Sequence, residues 1–193
     1  MRENLFTPIN LAGQQLNNRL VVAPMCQYSS TNGEPSLWHR RHLETLALSG
    51  AGMLMVESTA VSKKGRISLR DLSLENDNQI PAFATLLKEI KALSNIPTLL
   101  QISHAGRKGS VNVPWEQKNG IPLDRNVCGW ETISASAIAR DIGWQKPRQM
   151  NIDEINQTVN DFVLTTKRAC LAGFQGVEVH MAHGYLLHQF LSP

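Results

Sequence analysis

The chain has 193 residues, 42% of them hydrophobic, and its 19 basic and 16 acidic side chains leave a formal net charge of +3. That is enough apolar material for a sizeable core, and too little charge of one sign to argue for disorder or a nucleic-acid partner. No segment reads as a signal peptide or bilayer span, and three cysteines at wide spacings without a C-x-x-C pair fit reduced thiols. The expectation is therefore a soluble, cytoplasmic protein with no membrane partner.

Taken in chain order, LVVAPM at 20–25 is a first apolar run, followed by a helical stretch over 37–49 in which Leu43, Leu46 and Ala47 share a face. MLMVEST at 53–59 is a second run, and a helix over 80–93 aligns Phe83, Leu86, Leu87 and Ile90. TLLQIS at 98–103 is a third. A stretch over 105–150 then breaks the rhythm: it is rich in Gly, Pro and Trp, and reads as an excursion over the mouth of the fold with a short hairpin around 129–134. Asn151 with Glu154 makes a capping pair for a third helix that Gly173 can stop, with Ile155, Val159, Phe162, Val163, Thr166 and Cys170 as its apolar stripe. GVEVH at 176–180 is the fourth run. All four runs read as strands buried on both faces.

Strand–helix alternation implies parallel strands joined by right-handed crossovers. No G-x-G-x-x-G follows any strand, which argues against an open dinucleotide-binding sheet. Polar groups gather just past the strand ends instead, at Cys26, Gln27 and Tyr28, at Thr59, at His104, and from His180 to Tyr185, where a (β/α) barrel keeps its active site. The basic clusters KKGR at 63–66 and Arg107-Lys108 read as solvated loop charges, or at most as a rim that attracts an anionic ligand.

His180, His183 and Tyr185 carry the chemistry that can be argued from residue types alone. Two imidazole N–H groups can grip one carbonyl oxygen as negative charge develops on it, and a nearby phenol can deliver a proton to carbon. Gly184 lets the chain fold back closely enough for them to converge. A single loop histidine is more often a packed polar side chain; three convergent groups reverse that. H-x-x-H also occurs at His39 and His42, but neither pair has a carboxylate or thiol at ligand spacing, so no metal site is expected. The His39 and His42 pair reads as surface chemistry on the first helix. Cys26 falls at a mouth position, although a small buried hydrophobe is the commoner role for a cysteine. Gln101 is an amide inside an apolar strand, which implies a polar neighbour in the barrel and suits the edge of a heterocycle. The chain's two tyrosines, Tyr28 and Tyr185, both fall at strand-end loops.

These residues lie in APMCQY at 23–28, QISHAGRK at 101–108, GWETISASAIA at 129–139 and VHMAHGYLLHQFLSP at 179–193. Together they resemble the old yellow enzyme family of flavin-dependent ene-reductases, in its bacterial cysteine-containing branch near the xenobiotic reductases. The resemblance implies FMN over the barrel mouth, with Ala23, Pro24, Met25 and Cys26 along one side, Ala60 close to it, and Gln101 at the pyrimidine edge. It implies that Cys26 tunes the flavin rather than acting as a nucleophile. It further implies that Tyr28 contacts substrate, that His180 and His183 hold the substrate carbonyl, and that Tyr185 is the proton donor. NAD(P)H would be the reductant, an enone or related activated alkene the substrate, and the full-length form a homo-oligomer. A complete (β/α)8 TIM barrel takes about 250 residues, so residues 1–193 are expected to form the N-terminal half of one domain, strands one to four. The late loops that hold the FMN phosphate in the family have no counterpart here. The alternative is a catalytically silent half-barrel, or a structural partner that needs a complementary chain.

Overall fold

The computed structural model describes residues 4–116 and 120–192. Its first element is a hairpin, β1 (Ile9–Leu11) against β2 (Gln14–Leu16), turned through Ala12 and Gly13. Both turn residues have positive φ, 49° and 87°, the geometry that matches a two-residue turn to strand twist. Next come β3 (Val21–Val22), α1 (Leu37–Ala47), β4 (Met53–Ala60), α2 (Ile80–Leu93) and β5 (Thr98–Ser103). The excursion contributes β6 (Ile133–Ser134) and β7 (Arg148–Gln149) before α3 (Ile152–Ala172), β8 (Val177–Val179) and α4 (Leu186–Leu191). Of the excursion expected over 105–150, residues 117–119 lie outside the described residues.

The main sheet is parallel in the order β3-β4-β5-β8, with helices between successive strands. Its outer face meets the helices through Leu54, Val56, Leu100 and Ile102, which pack on Leu43, Phe83, Leu86, Ile90 and Ala169. The inner face begins with Met53, Met55 and Leu99, which pack with Leu16 and Ile9 of the hairpin. The β1-β2 hairpin thus covers the N-terminal ends of the strands, and the C-terminal ends remain open for a site.

Several expectations change in detail. The first strand shrinks to Val21–Val22, and neither it nor β8 is buried on both faces: they are the two ends of the sheet, and among the described residues no further strand pairs beyond them. The hairpin around 129–134 does not form: β6 pairs in parallel with β7, across the loop that carries the chain between them. The third helix opens at Asn151 with the expected reciprocal cap, and Gly173 ends it at φ 106°. Its buried positions, however, are Thr158, Thr165, Ala169 and Ala172, while Val159, Val163 and Cys170 of the expected stripe face outward. Small residues win that interface because α3 lies close against the sheet and α2.

Candidate active site

Past the C-terminal strand ends lies a cleft of about 800 Å³, within the usual size range for small-molecule sites. One wall is Ala23, Pro24, Met25, Cys26 and Tyr28; the floor is Ser58, Gln101 and Glu178; the far wall is His180, His183 and Tyr185 with their neighbours. Of the polar groups expected past the strand ends, Gln27, Thr59 and His104 do not line this cleft; every residue that the resemblance places at the site does, except Ala60. That residue is enclosed, its N–H donating to Leu72 O at 2.8 Å and its carbonyl accepting from Leu74 at 3.1 Å.

Strand alternation explains the floor. Leu99, Gln101 and Ser103 point inward from β5, and Glu178 is the register partner of Gln101 on β8. Gln101 Nε2 donates to Glu178 Oε1 at 2.5 Å, so the amide that looked out of place in an apolar strand has a carboxylate beside it. On β4, alternation from Met53 and Met55 would turn Ser58 toward the helices. A register shift between Val56 and Thr59 turns it into the cleft instead, where its hydroxyl lies 2.5 Å from that of Ser103. Sequence reading missed Ser58 and Glu178; the signal available was a polar residue inside each of two strands.

The far wall is built by a tight turn. Tyr185 N–H donates to Ala182 O at 3.1 Å, and the two residues between, His183 and Gly184, have φ of 56° and 70°. Leu186 N–H donates to His104 O at 2.9 Å, and Lys108 Nζ to His183 O at 2.5 Å, tying the turn to the end of β5. The ring centres of His180 and His183 are 5.0 Å apart, and those of His180 and Tyr185 4.8 Å. The Ala182 N–H donates to His180 Nδ1 at 3.1 Å, which leaves the proton of the neutral ring on Nε2.

The electrostatics favour neutral proton donors. Burial lifts the Cys26 thiol well above its ordinary value, and the carboxylates of Asp71 and Glu57 add to the rise. Burial raises both phenols, with Cys26 and Asp71 pushing the same way, and Glu57 as well at Tyr28. Burial and then the adjacent His183 lower His180.

One histidine set aside as surface chemistry is in fact enclosed. His39 Nδ1 accepts the Ser36 N–H at 3.1 Å at the start of α1, and its Nε2 faces Glu57 Oε2 at 3.5 Å. The other oxygen of Glu57 accepts the Gln27 N–H at 3.1 Å, under the loop that carries Cys26 and Tyr28. Among the described residues, no group of three or more His, Cys, Asp or Glu side chains is placed to hold a metal ion.

A parallel sheet with a cleft past its C-terminal strand ends is the arrangement that barrel enzymes use, and likeness to known proteins narrows the class. The model of the NADH:flavin oxidoreductase / NADH oxidase family matches residues 4–193. The chain belongs to that family, as the old yellow enzyme motifs led one to expect. It is 42% identical to an NADH:flavin oxidoreductase of Gibberella zeae, covering 98% of this chain and 46% of that protein. It is 39% identical to the NADPH dehydrogenase of Bacillus pumilus, covering 100% and 52%. Among solved structures, morphinone reductase superposes with a TM-score of 0.81 at 25% identity, over 97% of this chain and 50% of that one. The chain thus spans about half the length of the curated relatives it matches, and its four strands are half of a (β/α)8 barrel.

FMN is the cofactor the family implies, and the cleft suits its ring system. The Ala23, Pro24 and Met25 wall is apolar and accessible, with Met25 70% exposed. Cys26 offers an uncharged edge, and Ser58 and Gln101 offer polar groups at the floor. Among the described residues no lysine or arginine lines the cleft itself, so the FMN phosphate would have to be held outside it.

Proposed function

We propose that this chain supplies the substrate-binding and proton-donating half of an FMN-dependent oxidoreductase that reduces activated C=C bonds of α,β-unsaturated carbonyl compounds with NAD(P)H. The observation that carries this reading is the convergence of His180, His183 and Tyr185 on one cleft whose opposite wall is Cys26 and Tyr28. When bound, FMN supplies the two-electron chemistry that neither imidazole nor phenol can perform. Ala23, Pro24, Met25, Cys26 and Gln101 are the residues that would hold it.

His180 is held by the Ala182 N–H with its Nε2 proton free, and together with His183 it would donate to the substrate carbonyl oxygen. Such donors stabilise charge as it moves onto that oxygen. Tyr28 would pack against the substrate from the opposite wall. Tyr185 keeps its proton at neutral pH, as a phenol ordinarily does and more firmly here because burial raises it, and it would then protonate the α-carbon, a far stronger base than phenolate. The names of the relatives carry both NADH and NADPH, so the reductant is written NAD(P)H. The working form in this reading is a homo-oligomer of complete barrels in the cytoplasm.

Tyr185→Phe in a complete barrel carrying this segment tests the reading. Reduction of the flavin by NAD(P)H should persist, while reoxidation by cyclohexenone slows by roughly a hundredfold or more, the scale of general acid catalysis. Unchanged reoxidation in rapid-mixing kinetics would remove Tyr185 from the role.

A further inference from the structure

The turn after β5 and the far end of the excursion bring three cations to the Tyr185 side of the cleft. Lys108 Nζ, bonded to the His183 carbonyl, lies 5.6 Å from the centre of the Tyr185 ring. Arg140 Cζ lies 4.2 Å from the centre of the Trp144 ring, and Trp144 packs on the same cluster of Ile67, Ala105 and Val111 as Cys26, Tyr28 and Tyr185. Arg107 Nη1 donates to Ile138 O at 3.4 Å, tying the Lys108 turn to the segment that carries Arg140.

The charges feel one another. After burial, Arg140 and then Arg107 hold the Lys108 ammonium below its ordinary value, and Arg140 works against the rise of the Tyr185 phenol. Among the described residues, none of the three has a carboxylate within ion-pair distance, whereas Arg66, Arg70, Arg125, Arg148 and Arg168 each do. Asp141, next to Arg140 in the chain, has an oxygen bonded to the Ile142 N–H. An aromatic face and a backbone carbonyl fix the position of a cation without neutralising it. Gathered like charges repel, and an anion arriving between them would relieve that repulsion.

We propose that Lys108 and Arg140, with Arg107 behind them, form an anion-reading rim of the cleft. The rim takes a carboxylate or phosphate on the molecule whose reacting end lies among His180, His183 and Tyr185. This rests on the functional reading above and narrows its substrate class. Two sources share that chemistry, a carboxylate on the unsaturated substrate and the phosphates of the nicotinamide dinucleotide.

The experiment compares Arg140→Gln and Arg140→Lys with the parent in a complete barrel carrying this segment. One arm measures kcat/KM for a cyclohexenone bearing a carboxylate against cyclohexenone itself. The other measures flavin reduction by NADPH against N-benzyl-dihydronicotinamide, which has no phosphate. The rim predicts that one ratio falls roughly tenfold in Arg140→Gln, recovers in Arg140→Lys, and falls with added salt in the parent. A drop in the first ratio identifies the substrate's carboxylate, and a drop in the second the dinucleotide's phosphates. Both ratios unchanged in a parent that reduces cyclohexenone overturns the rim alone. A parent that takes up no flavin overturns the functional reading, and the rim with it.

Discussion

Cys26 owes its chemistry to its neighbours. Burial and the carboxylates of Asp71 and Glu57 favour the thiol over the thiolate, and a thiol is a poor nucleophile. Cys26 should therefore alkylate slowly at pH 8, with a rate that climbs only above the ordinary thiol range; fast labelling at neutral pH would contradict this. If Cys26 tunes the flavin, Cys26→Ala should shift the midpoint potential while keeping the FMN, whereas a packing role predicts equal potentials and a stability loss of ~1 kcal/mol. At this scale the sequence was legible where residue types are chemically unusual for their position: Gln101 in an apolar strand, and two histidines and a tyrosine around one glycine. His39 was illegible, because its neighbours Arg40 and Arg41 suggest a wet face. Only the fold shows that position 39 turns inward to Ser36 and Glu57.

Among the elements, β4, β5 and α2 were legible because their apolar patterns are complete: all eight positions of β4 are buried, as are the four expected positions of α2. The α3 stripe misled because apolar and buried are different properties; Val159 is 60% and Val163 45% exposed. The β4 irregularity was legible only in part: Glu57, Ser58 and Thr59 mark polar positions in the strand, but not which of them the register shift turns into the cleft. The end of β5 carries a prediction of its own. His104 is buried, its Nδ1 accepts the Gly106 N–H at 3.1 Å, and burial lowers its pKa from 6.5 to about 4. The stability that comes from keeping this ring neutral is fully present above about pH 6.5 and is lost as pH falls toward 4. The loss amounts to roughly 3 kcal/mol at most. Urea unfolding of a complete barrel should show the parent losing more stability between pH 7 and pH 5 than His104→Gln, which keeps an acceptor but does not titrate there. Equal losses would assign the pH dependence to other groups.

The molecule as a whole has two open sides. β3 and β8 are the edges of the sheet, and Val21 and Val179 on them are 49% and 44% exposed. Unpaired strand edges flanked by apolar surface favour association. Residues 1–193 alone should therefore self-associate and hold FMN weakly, since among the described residues no lysine or arginine lines the Ala23 to Cys26 wall and the Gln101 floor that would hold the flavin. A monomer with stoichiometric flavin in sedimentation and absorbance measurements would show that the second half of the barrel is not needed. The central claim is that four strand ends assemble one cleft in which a flavin and the His180 and His183 pair meet the same ligand. Titrating a complete barrel that carries this segment with a phenol, an enolate mimic, tests it most directly through the visible spectrum. The account predicts a perturbed flavin spectrum that disappears in the His180→Ala, His183→Ala double variant while the flavin stays bound. An identical perturbation in parent and double variant would contradict it.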